Sequence, residues 1–204
     1  MVEAKSFCED GWTPYKQEKC IKIRTDTLVS QNEGELLCGN FKSSLLKIHS
    51  EEEQRFLDQL LRNQSLGILG NLWIGLEGRR RSQNDIGTKS AEEFESFEFK
   101  WNDGSALDFT NWGDEENTKS LNDKMVGIDD SGKVCVQLGR KGVSSSGSVT
   151  HWSIVQCSTM NFVVCEKKEL TLSEIHSTLQ NLQEEVRQKY VTTTTTTTPR
   201  PGEQ

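Results

Sequence analysis

Six cysteines, Cys8, Cys20, Cys38, Cys135, Cys157 and Cys165, spread across the apolar part of the chain, and they limit its fold more than any other feature. None stands in a C-x-x-C pair, and His49, His151 and His176 are scattered. A tetrahedral zinc site draws on close-spaced ligand pairs, so structural zinc does not fit. An even count spread this widely reads as three disulfides in an oxidising compartment. The competing reading is six buried thiols in a cytosolic protein. Spacing alone leaves the connectivity open.

The chain is long enough, at 204 residues, for one ordinary domain with a tail or for two small ones. Hydrophobic residues make up 33% of it. Even with glycine added, that falls short of the roughly 45–50% usual for a globular domain, so part of the chain is expected not to pack. With 24 basic against 31 acidic side chains the net charge is −7, which speaks against nucleic acid as a partner while leaving room for a local basic patch. No run approaches the ~18–20 apolar residues that span a bilayer, and residues 1–5 carry no secretory apolar stretch. The expectation is a soluble piece trimmed at both ends.

Residues 1–25 read as two short strands joined by a turn. Ser30 and Glu33 suggest a capping box opening a helix over residues 30–40, with Leu36, Leu37, Cys38 and Gly39 as its inner face. Ser50 and Glu53 repeat the signature for a helix over 50–63, whose Phe56, Leu57, Leu60 and Leu61 recur at helical spacing. Short strands are expected at 45–48, 72–76, 97–101, 134–138 and 162–166. The polar stretches 77–93, 102–130 and 139–150 between them read as long loops, which are usually functional. Within 139–150, residues 144–148 look like a flexible loop tip with no assignable chemistry.

Past Cys165 the texture changes. Leu172, Ile175, Leu179, Leu182 and Val186 follow a heptad seam, so 168–190 reads as an amphipathic helix. It is either a neck that joins copies of the chain through residues 170–189 or a helix lying on its own domain. Residues 191–204, with seven consecutive threonines, read as a disordered, O-glycosylated stalk.

Read together, these motifs resemble the C-type lectin-like domain. The carriers are Trp73-Ile74-Gly75-Leu76, then Phe99-Lys100-Trp101-Asn102-Asp103-Gly104-Ser105, then Asn111-Trp112-Gly113-Asp114-Glu115. Trp152 before Cys157 and the closing Phe162-Val163-Val164-Cys165-Glu166 complete the set. The resemblance covers residues 8–165 and sets the domain at 1–167. It implies the pairings Cys38–Cys165 and Cys135–Cys157, and Cys8–Cys20 for the long form with an N-terminal hairpin. The implied fold is α+β: two helices flanking two small antiparallel sheets, with a long loop region carrying the ligand site.

The resemblance also specifies how such a domain holds calcium and sugar. A hard cation takes carboxylate and amide oxygens. The family's tripeptide falls on Glu115-Glu116-Asn117, which keeps both oxygen ligands but not the central proline. The acid before the third-last cysteine falls on Lys133, a cation where a cation would bind. The W-N-D segment reads Trp152-Ser153-Ile154, with one poor ligand and one that is none. Acids expected soon after the strand at 72–76 give way to Gly78 and Arg79-Arg80-Arg81. The sugar-bridging calcium site is therefore expected to be incomplete, although Asp114, Asp129 and Asp130 leave a weak unorthodox site open.

Arginine presents a planar fork that suits carboxylates and sulfates. Arg79, Arg80 and Arg81, with Lys89, therefore form a candidate patch for an acidic glycan or protein, the plain alternative being a solvated loop. Asp114, Glu115, Asn117 and Trp152 join them as candidate ligand residues. Asn63-Gln64-Ser65 is a glycosylation sequon. No G-x-S-x-G, H-E-x-x-H or phosphate-cradling glycine loop is present, so no enzyme is expected. The reading is an extracellular recognition and adhesion module, either secreted or a receptor ectodomain. It would bind a glycan or protein ligand without the sugar-bridging calcium. The alternative is a calcium-dependent carbohydrate binder using Glu115 and Asn117.

Overall fold

Successive residues of a strand face opposite sides of the sheet, and in this chain both sides are apolar. The structure, a computed structural model, describes residues 7–63, 70–80, 97–113, 132–140 and 150–194. The elements are β1 (Thr13–Tyr15), β2 (Lys19–Val29), α1 (Gln31–Gly39), β3 (Ser44–Leu45), α2 (Glu51–Asn63), β4 (Leu72–Arg80), β5 (Phe97–Trp101), β6 (Lys133–Arg140), β7 (Thr150–Val155), β8 (Asn161–Lys168) and α3 (Leu172–Thr194). Leu45, Trp73, Val163 and Cys165 turn one way and pack with Cys38 of α1. Leu46, Ile74, Val164 and Trp152 turn the other way and pack with Leu57 and Leu61 of α2. The two helices thus cover opposite faces of one sheet.

The sheet is built from two antiparallel groups. β1, β2, β8 and β3 form one. β5, β4, β6 and β7 form the other. A short parallel pairing, Leu72 with Phe162 and Trp73 with Val163, joins them. β7 answers no expected strand. Its residues fall in a stretch read as loop and metal-ligand segment, yet Thr150, Trp152 and Ile154 alternate inward in strand fashion. β4 also runs on into residues 77–80, read above as loop, while β3 is shorter than the expected strand over 45–48.

All three disulfides take the pairing that the resemblance implies: Cys8–Cys20, Cys38–Cys165 and Cys135–Cys157, with Cα separations of 5.6, 5.5 and 5.0 Å. The Cys38–Cys165 bridge decides which face of α1 turns inward. Gln31, Gly34 and Cys38 are buried, and Leu36, expected on the inner face, is 71% exposed. Gly34 is needed for contact, since a Cβ there would meet Val163 Cγ1 at 2.8 Å. The start of α1 does follow the sequence signal: the Ser30 N–H donates to Glu33 Oε2 at 2.9 Å.

Both ends of the domain meet beside the Cys8–Cys20 hairpin. The Phe7 N–H donates to the buried Glu169 carboxylate at 2.7 Å, and the Glu169 N–H donates to Glu18 O at 3.0 Å. The β1–β2 turn is strained. Lys16 and Gln17 sit at φ 49° and 61°, two successive left-handed residues of the kind that Asn-Gly supplies without cost. Gln17→Gly is expected to stabilise the fold by about 1 kcal/mol, read as a higher urea midpoint with an unchanged slope. A lower midpoint would show that the turn is not strained.

Candidate functional site

Directly opposed residues of neighbouring strands share a face of the sheet. Arg79 of β4 opposes Glu98 of β5 and Lys133 of β6, and Glu77 opposes Lys100 and Cys135. Charged side chains therefore line one face where β4, β5 and β6 end. The Lys133 ammonium pairs with Glu77 Oε1 at 2.7 Å, and the Gln31 amide donates to the same oxygen at 3.0 Å. Lys100 pairs with Glu98 at 2.7 Å. Arg79 is exposed and makes no ion pair among the described residues.

Of the three arginines, Arg79 and Arg80 are among the described residues. Arg79 and Arg80 are neighbours on a strand and diverge, with the Arg80 guanidinium 5.9 Å from the Phe97 ring centre on the other face. Arg81 and Lys89 lie outside the described residues, as do Asp114, Glu115, Glu116, Asn117, Asp129, Asp130 and residues 144–148. Asn63 ends α2, and the other two sequon residues lie outside the description.

Trp152 is a core residue. It is 1% exposed, its ring meets Trp101, Phe109 and Trp112, and its indole N–H donates to Gln54 Oε1 at 3.0 Å. Burial of its large ring explains the residue without recourse to a ligand. Ser153 accepts a hydrogen bond from the Gln137 amide at 3.1 Å, and Ile154 is buried. The segment that would carry calcium ligands is strand and core here.

The segment 102–113 is tied down along its length. Asp103 accepts from Ser105 N–H and Oγ at 2.9 and 2.6 Å and pairs with Lys47 at 3.3 Å. Partial burial works to raise the Asp103 pKa, but the Ser105 bonds and the Lys47 charge outweigh it and hold the carboxyl at about 2. Asp108 bonds His49 Nδ1 at 3.0 Å, and that contact lowers the Asp108 pKa. The Asn111 amide donates to Thr150 O at 2.9 Å, and the Gly113 N–H donates to Trp152 O at 3.0 Å. The chain re-enters the description at Gly132, whose carbonyl accepts the Arg80 N–H at 3.1 Å. Gly113 and Gly132 are thus both bonded to strands of the sheet, β7 and β4.

The sequence motifs did not single out Glu77 or Gln31. Only the β4–β6 register brings Glu77 to Lys133, although an acid one strand position from Arg79 was there to be noticed. Among the described residues, donor atoms close enough to share a metal belong to Cys8, Cys20 and Glu169. The two sulfurs are bonded to each other and offer no thiolate.

The family pattern described as Lectin C-type domain matches residues 27–167. The secretory phospholipase A2 receptor of Oryctolagus cuniculus is 30% identical over 173 residues, which is 85% of this chain and 10% of the receptor. The C-type mannose receptor 2 of Homo sapiens is 28% identical over 111 residues, 54% of this chain and 6% of that receptor. The chain therefore spans about a tenth, or less, of the length of these relatives. Among solved structures, the carbohydrate-recognition domain of the mouse scavenger receptor C-type lectin is similar at TM-score 0.51 and 25% identity, covering 81% of this chain and 99% of that one. A calcium-independent type II antifreeze protein shares the fold at TM-score 0.51 and 20% identity, covering 82% and 99%. The matched family is one of receptor and binding domains, not enzymes. Sheet topology, three bridges and a sequence match over most of the chain agree, and the chain belongs to the C-type lectin domain family.

Proposed function

We propose that this chain is an extracellular recognition and adhesion module that holds a glycan or protein ligand on its long-loop face without a sugar-bridging calcium. One observation carries the reading: the Lys133 ammonium, bonded to Glu77 at 2.7 Å, stands where the family supplies an acid. An ammonium there offers no oxygen ligand to a divalent cation, and its ion pair engages the Glu77 carboxylate as well. Trp152, Ser153 and Ile154, committed to strand and core, support the same conclusion. The three disulfides and the receptor relatives favour an extracellular setting, as a secreted protein or an ectodomain. Residues 1–167 would be the recognition domain, 168–190 the segment through which copies join, and 191–204 a stalk, with Asn63 as a glycan acceptor.

Arg79 would supply the charged anchor for an acidic ligand group. Arg79→Ser is expected to weaken binding to heparin or hyaluronan about tenfold, while Arg80→Ser leaves it unchanged. Equal affinity of all three proteins would remove Arg79 from the site. Glu115 and Asn117 keep the oxygens of a calcium-dependent binder, which is the second reading. Calorimetry with Ca²⁺, then a glycan array with and without chelator, decides between them. The proposal expects no calcium heat and identical arrays. A saturable calcium signal with chelator-sensitive glycan binding establishes the second reading instead.

A further inference from the structure

The Glu169 carboxylate stands against the Cys8–Cys20 bridge, with an oxygen within 4.8 Å of both sulfurs. Its Oε1 accepts the Phe7 N–H at 2.7 Å. Its Oε2 is buried and takes no hydrogen bond among the described residues. The whole residue is 4% exposed, so bulk water does not reach that oxygen. A buried acceptor without a donor is costly, and two sulfurs bonded to each other carry no hydrogen to offer it.

Reduction changes the balance at this point. Each sulfur then carries an S–H, a weak donor, beside an acceptor already in place. The open form gains a hydrogen bond that the closed form lacks. Whatever stabilises the reduced form of a thiol pair makes its disulfide easier to open.

Three further observations single out this bridge. Among the described residues, no carboxylate or imidazole comes as close to both sulfurs of Cys38–Cys165 or of Cys135–Cys157. Cys8–Cys20 also closes the shortest loop, a separation of 12 residues against 22 and 127, so it restrains the unfolded chain least. Opening it therefore gives up the least of the fold. Access points the same way, since Cys8 is half-buried while Cys38 and Cys165 are fully buried.

We propose that Cys8–Cys20 is a thiol-exchange site, opened by a dithiol ahead of the other two bridges, with Glu169 as the positioning residue that favours the open form. A thiolate of the dithiol attacks Sγ of Cys8, the S–S bond breaks, and the Cys20 sulfur leaves and takes a proton. The second thiol of the dithiol then attacks the mixed disulfide, joins its own partner sulfur and releases Cys8 as a thiol. The bridge gains two electrons and two protons, and the dithiol loses both. One of the new S–H groups donates to Glu169. Opening frees the residues before β1 from their covalent hold on β2, while Cys38–Cys165 keeps α1 on the sheet. The site shares no residue with the charged face of β4, β5 and β6 and needs nothing from ligand binding.

The test equilibrates the full chain with set ratios of reduced to oxidised dithiothreitol, traps free thiols by alkylation and assigns them by peptide mass. Cys8 and Cys20 are expected to be labelled first, with the other four cysteines still bridged and thermal unfolding still cooperative. Glu169→Gln keeps an acceptor for the Phe7 N–H and removes the charged oxygen. It is expected to need a ratio about tenfold more reducing for half-opening, the factor that one weak hydrogen bond to a charged group provides. Glu169→Asp draws the carboxylate back by one methylene and is expected to shift the same way. A variant that merely loosened this junction would open more easily, so the sign of the shift separates the proposed role from damage to the fold. Earlier opening of either other bridge overturns the proposal, and so does opening of Glu169→Gln at the same or a lower ratio. Ligand binding enters none of these readouts, so failure of the recognition reading would leave them unmoved.

Discussion

Replacing Cys38 and Cys165 together by alanine is expected to cost about 5 kcal/mol and to leave the domain largely unfolded at body temperature. The bridge closes a sequence separation of 127 residues, against 22 for Cys135–Cys157 and 12 for Cys8–Cys20. In the chain-entropy account the longest loop restrains the unfolded state most, and the same arithmetic gives about 3 kcal/mol for the hairpin bridge. Small domains hold only about 5–15 kcal/mol in total, so the first loss is close to fatal and the second is survivable. Both sulfurs of the long bridge are buried between α1 and the sheet, so alanine also loses packing there. Thermal unfolding of the two double variants tests the order. If the hairpin variant melts as low as the long-bridge variant, loop length does not govern this domain.

Glu166→Ala is expected to cost about 2–3 kcal/mol, because it takes the shared carboxylate from two half-buried ammoniums and leaves each with one remaining acid. Glu166 Oε2 accepts the Lys19 ammonium at 2.7 Å and Oε1 accepts Lys47 at 2.6 Å. The Lys47 N–H also donates to Glu166 Oε2 at 3.3 Å. Lys19 reaches the buried Glu53 as well, and Lys47 reaches Asp103. The group ties β2, β8, α2 and the segment after β5 at one point. Burial pulls the Lys19 pKa down, but Glu166 and Glu53 outweigh it and hold it above the ordinary 10.5. A lysine raised in the folded state gives its full stabilisation below the unfolded value and loses it as pH climbs through the folded one. The unaltered protein should therefore weaken above about pH 10.5 in step with Lys19 deprotonation, and Glu166→Ala should show a smaller alkaline fall. Glu166→Gln keeps an acceptor oxygen and should cost less than the alanine variant. Chemical denaturation of both across pH is the measurement. Equal costs for the two variants would show that packing, not charge, sets the effect.

How far the fold could be read beforehand depended on whether a residue's partner was near in sequence. Ser30 and Glu33 opened α1 as their spacing suggested, because both partners sit in one turn. Ser50 accepts the Glu53 N–H at 3.2 Å as a cap should, yet the Glu53 carboxylate goes to His49 N–H and Lys19 instead of completing a capping box. A tertiary cation outbid the local donor, and nothing local announces it. The inner face of α1 was misjudged because Leu36 is the more apolar residue, while the bridge to Cys165 and the close approach of Gly34 to Val163 set the rotation. β7 was legible in principle: Thr150, Trp152 and Ile154 alternate with His151, Ser153 and Val155. Reading Trp152 as part of a ligand segment hid a period that strands share with little else. At the site, Lys133 could be read as a cation two residues before Cys135 from the sequence alone. Its partner Glu77 required the β4–β6 register, and the divergence of Arg79 from Arg80 required knowing that β4 runs on through both.

The meeting of Phe7 with Glu169 has a mechanical consequence. Tension applied between the two ends of the domain enters through residues that already touch, and two covalent links stand just behind them, one at Cys8 and one at Cys165. Load between the two ends would be borne across that short path and would bypass β4 to β7.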